Sequence, residues 1–143
     1  MDASVVSELE VTVTDRVTGA SITAWIRRAG SDVVAVVGGG ERPHVGVVVV
    51  AQPYPSRGRP GRWSASSSVV TIPPHKEEPV ARGLAERLVA ATGGVVVVTA
   101  GVHDDGLGPE GISTYLELAE RLQERVAERV RDAWGEPPGA PPR

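Results

Sequence analysis

Two short valine-rich runs flank a glycine-rich turn, and this arrangement constrains the fold more than any other feature of the chain. The runs cover residues 32–37 and 47–51, and the segment between them, 38–46, reads GGGERPHVG. Short β-branched runs bounded by glycine are typical of buried strands. The turn lets other backbone or a ligand approach closely, because glycine has no Cβ. We therefore expect two strands joined by a sharp turn that carries His44.

Six strands and two helices are predicted from the pattern of apolar residues. The strands are expected at 5–14, 21–28, 32–37, 46–51, 64–72 and 95–100, and the first three are expected to form antiparallel hairpins. The continuous apolar pattern of the fourth strand predicts burial on both of its faces. Apolar residues at three- and four-residue spacing predict one helix over 76–92 and another from Pro109 to about Trp134.

The order of these elements favours an α+β fold. Hairpins early in the chain and helices late in it predict a two-layer sandwich, in which a mixed, mostly antiparallel sheet of about six strands carries both helices on one face. The helix between the fifth and sixth strands could make those two strands parallel through a right-handed crossover. Residues 1–134 are therefore expected to form a single α+β domain.

Two segments lack the pattern of either element. Residues 52–63 contain three prolines, two glycines and three arginines, and this composition predicts an exposed, mobile loop. The loop could be a lid that carries its arginines toward an anion, or a solvated loop without such a role. The proline- and glycine-rich tail, 135–143, is expected to be disordered.

Composition excludes several classes of protein. The net charge is −3 and no basic stripe is present, which argues against a nucleic-acid partner. The chain has no cysteine, so a disulfide framework, a thiol nucleophile and thiolate metal sites are excluded. The N-terminus lacks the features of a signal peptide, and no apolar run approaches the ~20 residues that span a bilayer. We expect a soluble cytoplasmic protein without a membrane partner.

All three histidines of the chain lie beside predicted strand ends. His44 lies in the glycine turn, His75 follows the fifth strand, and His103 follows the sixth. Any one of these could be a hydrogen-bonded turn histidine. Because loops at strand ends are where sites are built on such sheets, we instead expect the three to share one site.

The start of the first helix is a candidate phosphate site. Free backbone N–H groups at a helix start favour an anion, and His75 and Lys76 would add donors there. Lys76 is the only lysine in the chain, which suggests that a compact ammonium charge is wanted at this position.

The residues by themselves leave three functions open. A metal-dependent enzyme could use His44, His75 and His103 as ligands, with Asp104 or Asp105 as a further ligand. Acid–base catalysis could use His103 with one of these two aspartates. Adjacent residues at a strand end point in opposite directions, which disfavours Asp104 as the partner. The third possibility is a pocket for an anionic, planar cofactor, with its phosphate at a helix start and its ring over the glycine turns.

Three motifs together resemble a known family. They are GGxxPHxG after an apolar strand, HKE at the start of the first helix, and TAG(V/I)H after a later apolar strand. In this order and spacing they are similar to the small D subunit associated with gallate decarboxylase, whose family is described as prenylated-flavin chaperones. The resemblance covers roughly residues 32–125.

The resemblance implies a non-catalytic protein that binds prenylated flavin mononucleotide, in its reduced form, and supports a prenylated-flavin-dependent decarboxylase. It assigns the cofactor site to Gly38, Gly39, Gly40, Pro43, His44, Gly46, His75, Lys76, Gly101 and His103. We also expect a homodimer, because the apolar sheet has more strand than two helices can easily cover.

Overall fold

The computed structural model describes residues 6–74 and 77–142. A six-stranded mixed sheet carries two helices, which confirms the predicted α+β class. The strands are β1 (Glu8–Thr14), β2 (Ser21–Ala29), β3 (Asp32–Gly40), β4 (Val47–Pro55), β5 (Trp63–Thr71) and β6 (Val96–His103). The helices are α1 (Glu78–Thr92) and α2 (Pro109–Trp134). No helix in this described part of the chain is both long and apolar enough to cross a bilayer.

The strands lie in the order β1-β2-β3-β6-β4-β5. β3 and β6 are parallel, and every other neighbouring pair is antiparallel, including the early hairpins β1–β2 and β2–β3 that the sequence predicts. β5 and β6 run in the same direction, as predicted for a crossover through α1, but β4 lies between them. This arrangement brings the carboxyl ends of β3 and β6 together at one end of the sheet.

Only one face of the sheet is covered by helices. Val47, Val49 and Ala51 of β4 are fully buried, since the helix layer covers them. Val48 and Val50 alternate with them on the other face and are only partly buried, so the expected burial of β4 on both faces is wrong. We call this other surface the open face. Its apolar centre consists of Trp25, Val34, Val36, Val48, Val50 and Val97.

The loop expected over 52–63 is shorter than predicted. β4 continues through Pro53 to Pro55, and β5 begins at Trp63. β6 accompanies β4 only as far as Ala51, so the two prolines lie where β4 pairs with β5 alone. Proline has no N–H to donate, and it is tolerated in a strand that is unpaired on one side. The prediction failed because the prolines were taken to exclude any strand pairing.

The C-terminal tail lies against the β4–β5 hairpin. Trp63 Nε1 donates a hydrogen bond to Pro138 O at 2.8 Å, and Ala140 N donates to Gly61 O at 3.0 Å. Ala140 is only 9% exposed. These contacts place the described part of the tail against the hairpin. They do not test the disorder expected for 135–143, which stays a prediction.

One side of α2 is buried through Leu118, Leu122, Val126 and Val130, and this packing can be tested with two leucines of the helix. Leu122 is fully buried, so Leu122→Ala is expected to lower the free energy of unfolding by about 2–5 kcal/mol. Leu116 is 54% exposed, and Leu116→Ala is expected to change it by less than about 0.5 kcal/mol. Chemical denaturation of both variants measures the difference. Equal losses would contradict the packing of α2 described above.

Candidate functional site

The glycine turn folds back onto the open face across the ends of β3 and β6. We call residues 41–46 the arm. Gly46 N donates to Ala100 O at 3.0 Å, and His44 N donates to Gly101 O at 3.5 Å. A Cβ on Gly101 would overlap His44 O, and a Cβ on Gly38 would lie 3.0 Å from Pro43 Cβ. Glycine at these two sheet positions therefore lets the arm lie directly on the sheet.

The arm places His44 beside His103. Their ring centroids are 6.3 Å apart with the planes at 76°, an edge-to-face arrangement. The two side chains are 37% and 46% exposed, so both remain accessible to a ligand. Two of the three histidines expected to converge are thus brought together. His75 and Lys76 lie outside the described residues.

Each of the two histidines has a carboxylate partner. His44 Nε2 lies 3.4 Å from Glu77 Oε1, and His44 Nδ1 donates to Arg42 O at 3.1 Å. Both ring nitrogens of His44 therefore face oxygen acceptors, an arrangement that a doubly protonated ring satisfies completely. His103 Nε2 lies 3.0 Å from Asp105 Oδ1. The partner of His103 is thus Asp105, and not Asp104, which the strand-end geometry disfavoured.

Arg42 joins the arm to this second pair. Its guanidinium binds the Asp105 carboxylate, and its Nη2 lies 3.0 Å from His103 Nε2. The pKa of Asp105 is lowered, first by the hydrogen bond from His103 and then by the charge of Arg42. Since Arg42 can only donate and a carboxylate can only accept, His103 Nε2 accepts from one or donates to the other according to its protonation. We call His44, His103, Arg42, Glu77 and Asp105 the histidine cluster.

Glu77 is a member of this cluster that sequence reasoning missed. It directly precedes α1, and its side chain is only 13% exposed. A Cβ on Gly46 would lie 2.8 Å from Glu77 Oε2, so the glycine makes room for this carboxylate beneath the arm. The HKE motif contained the signal, but an acid at a helix start is readily explained by the helix dipole alone.

Asp104 is engaged elsewhere, away from the histidine pair. Its Oδ1 accepts a hydrogen bond from Glu41 N at 2.6 Å, and its Oδ2 accepts one from the Tyr115 hydroxyl. The aspartate thereby ties the arm to α2. Among the residues that the structure describes, no group of three histidine, cysteine or acidic side chains could hold a metal ion. The metal-dependent enzyme with Asp104 as a ligand is therefore not supported.

Thr99 lies in the middle of the open face, next to the cluster. Its neighbours across the sheet are Val36 and Val48, and Gly101 follows two residues later on the same face. Its hydroxyl is buried, and within 6–74 and 77–142 it is the one such side-chain atom without a hydrogen-bond partner. A buried polar group without a partner is costly, so Thr99 is a candidate for contact with a ligand. Threonine is common in strands, and the sequence therefore did not single it out.

The histidine cluster lies on the sheet surface and not in a closed cavity. A cavity of about 380 Å³ lies beside Asp104, between the β1–β2 turn, the end of β3 and the first turns of α2. Neither His44 nor His103 lines it. At a flat, half-exposed site of this kind, a ligand would contact the sheet beneath it and the arm beside it. The rest of the ligand would face solvent or another protein.

Comparison with known proteins defines the class of the chain. A family model of prenylated flavin chaperones matches residues 16–131, a range that includes the arm, Thr99 and the whole histidine cluster. The chain belongs to that family, the prenylated flavin chaperone LpdD-like domain. No match was found among curated proteins.

The fold also occurs in a solved structure of another chaperone. One chain of a chaperone complex for yeast 20S proteasome assembly is 12% identical to this protein, with a TM-score of 0.54. The similarity covers 86% of this chain and 96% of that chain. At this level of identity the similarity shows a shared fold alone.

The contact between Asp104 and Tyr115 predicts a dependence of stability on pH. Burial, and then the hydrogen bond with Asp104, raises the pKa of Tyr115 from 10.0 to about 12. Between these values the folded chain keeps a proton that the unfolded chain has lost, so stability falls as the pH rises through this interval. We expect a smaller fall in Tyr115→Phe, measured by chemical denaturation at several alkaline pH values. The same fall in both proteins would contradict the contact between the Tyr115 hydroxyl and Asp104.

Proposed function

We propose that the protein binds reduced prenylated flavin mononucleotide on its open face, beside the histidine cluster, and delivers it to a prenylated-flavin-dependent decarboxylase. It acts in this scheme as an accessory subunit that catalyses no reaction itself. Membership of the prenylated flavin chaperone family supports the chaperone role. We choose this surface because the unpartnered hydroxyl of Thr99 lies on it, between the apolar centre of the open face and the two histidines.

The apolar centre of the open face suits the flavin ring. Val34 and Val36 are 45% and 44% exposed, and Trp25 is 44% exposed, so an apolar surface is available to a planar ligand. Trp25 lies near Pro43 of the arm, because Trp25 Cζ3 and Pro43 Cβ are 3.3 Å and 3.0 Å from the position of a Cβ on Gly38. If the ring lies flat on the valines, a polar atom on its edge could form a hydrogen bond with the Thr99 hydroxyl. Such sites are mostly apolar, with a few placed polar groups.

The histidine cluster suits the phosphate. The rings of His44 and His103, together with the guanidinium of Arg42, offer donors of the kind that bind phosphate. All three are already paired with acceptors of the chain, so a phosphate has to compete with Glu77, Asp105 and the Arg42 carbonyl. The assignment of His75 and Lys76 to the phosphate stays a prediction. It is supported by the contact of their sequence neighbour, Glu77, with His44.

The exposure of this site suits a protein that must release its ligand. A chaperone that transfers a cofactor gains more from a micromolar Kd, about −8 kcal/mol, than from a picomolar one. Competing carboxylates and an uncovered surface both favour such modest affinity. An uncovered surface also lets a decarboxylase approach the bound cofactor directly. The homodimer and the cytoplasmic location expected from the sequence belong to the same proposal.

The role of Thr99 can be tested by removing its hydroxyl without changing its shape. We expect Thr99→Val to weaken binding of reduced prenylated flavin mononucleotide about two- to tenfold, the value of one hydrogen bond. The free energy of unfolding should stay the same or rise, because an unpartnered buried hydroxyl is removed. Anaerobic titration and chemical denaturation measure the two quantities.

A matched control is available on the same face. The Thr23 hydroxyl is already bonded to Thr12 at 2.7 Å, so Thr23→Val should leave the affinity unchanged. An unaltered affinity in Thr99→Val would contradict the placement of the cofactor. A wild-type protein that does not bind the cofactor would contradict the function itself.

Delivery can be tested separately from binding. We expect a prenylated-flavin-dependent decarboxylase co-expressed with the wild-type protein to retain more cofactor than one co-expressed with His44→Ala/His103→Ala. The reason is that the double variant loses both ring donors of the site. Leu116→Ala, on the exposed side of α2, is the control and should act as wild type. The cofactor content of the purified enzyme is read from its absorbance spectrum, and equal content with and without the chaperone would contradict delivery.

A further inference from the structure

Beyond Trp63, which the C-terminal tail contacts, one edge of the sheet lacks the features that usually prevent strand pairing between molecules. β5 is an edge strand, and it pairs with β4 over nine residues in one uninterrupted register. Its sequence, WSASSSVVT, contains no charged residue, no proline and no glycine. Edge strands in natural sheets are normally protected by charges, prolines, bulges or a covering segment. Among the described residues, no strand pairs with the outer side of β5.

The opposite edge is protected. β1 carries Glu8 and Glu10, and Glu8 forms a salt bridge with Arg27 of the neighbouring strand. The guanidinium of Arg121 donates to Thr14 O at 3.4 Å, at the end of the same strand. Two edges of one sheet thus differ in their protection. The difference makes β5, and not β1, the edge that is open to a partner strand.

The helix above β5 determines which charges lie along this edge. Ser67 Oγ donates to Glu86 Oε1 at 3.3 Å, and Trp63 Nε1 lies 2.7 Å from the position of a Cβ on Gly93. α1 therefore runs antiparallel to β5, with Glu86 level with Ser67. Arg82 lies one turn earlier on α1, about 6 Å along the helix axis, and its guanidinium also binds Glu78 of the same helix. That distance equals about two residues of a strand, which makes Arg82 level with Val69.

We propose that two copies of the chain pair their β5 strands antiparallel to each other, about a twofold axis at Ser68. In this register Ser67 of one copy lies opposite Val69 of the other, so Glu86 of each copy faces Arg82 of its partner. Oppositely charged groups then meet on both sides of the axis, as an isologous interface requires.

The same register keeps the two layers of the fold continuous. Strand partners across the axis differ by an even number of residues, so each residue meets one from the same face of the sheet. The serine, alanine and valine side chains near the axis are small and allow close approach of the strands. The dimer would contain one twelve-stranded sheet, twice the six strands of one chain, with both open faces on the same side. Both histidine clusters would remain accessible.

This inference extends the expected homodimer and does not depend on the identity of the cofactor. The test is the molecular mass of the full chain by sedimentation equilibrium over a concentration series. We expect about twice 14.9 kDa for the wild type. Ser68 is exposed, so Ser68→Lys should fold normally while it brings two ammonium groups together at the axis. Such like charges should raise the Kd of the dimer about tenfold or more.

Thr14→Lys is the matched control, because it adds the same charge to an exposed residue of the opposite edge strand. It should leave the Kd of the dimer unchanged. Glu86→Arg should weaken the dimer, and Arg82→Glu in the same chain should restore it.

A monomeric wild type, or a Ser68→Lys variant that dimerises normally, would overturn the proposal. So would a dimer that is lost in Val34→Lys but kept in Ser68→Lys, since the open face would then be the interface. Cofactor binding by a folded, monomeric Ser68→Lys protein would separate this result from the proposed function.

Discussion

Direct contact between the backbone of the arm and the backbone of β6 holds the histidine cluster together. Gly101 permits this contact, because any side chain there would overlap His44 O. Once the arm lies on the sheet, His44 comes beside His103, Arg42 reaches Asp105, and Gly46 leaves space for Glu77. A sheet with one uncovered face thereby acquires a polar group of side chains at the end of an apolar strip. The cluster therefore depends on how the arm packs on the sheet as well as on its own residues.

The charges of the cluster are close to balance, and this affects what it can bind. Two carboxylates, Glu77 and Asp105, already occupy donors of Arg42 and the two histidines. An anion therefore gains only the difference between its own interaction and the one that it displaces. Specificity for a cofactor with both a phosphate and an apolar ring then depends on the adjacent valines as well as on charge. A small anion without the ring would bind weakly here.

Local sequence patterns predict much of the fold and part of the histidine cluster, but not all of either. Strand and helix periodicity predicted the six strands and two helices, and the position of the histidines at strand ends predicted that His44 and His103 meet. The continuation of β4 through Pro53 and Pro55 was missed, because it depends on where a neighbouring strand stops. Glu77 and Thr99 were missed for a related reason. Their roles arise from what the arm and the sheet place next to them, which no local pattern records.

The three tryptophans occupy different environments, with a practical consequence. Trp63 and Trp134 each donate an indole hydrogen bond to a backbone carbonyl, of Pro138 and Val6 respectively, at the hairpin and at the end of α2. Trp25 lies instead on the open face beside Pro43. Its emission is thus sensitive to events on that surface, whereas the other two report on the scaffold. The protein therefore carries an intrinsic fluorescent reporter at its candidate binding surface.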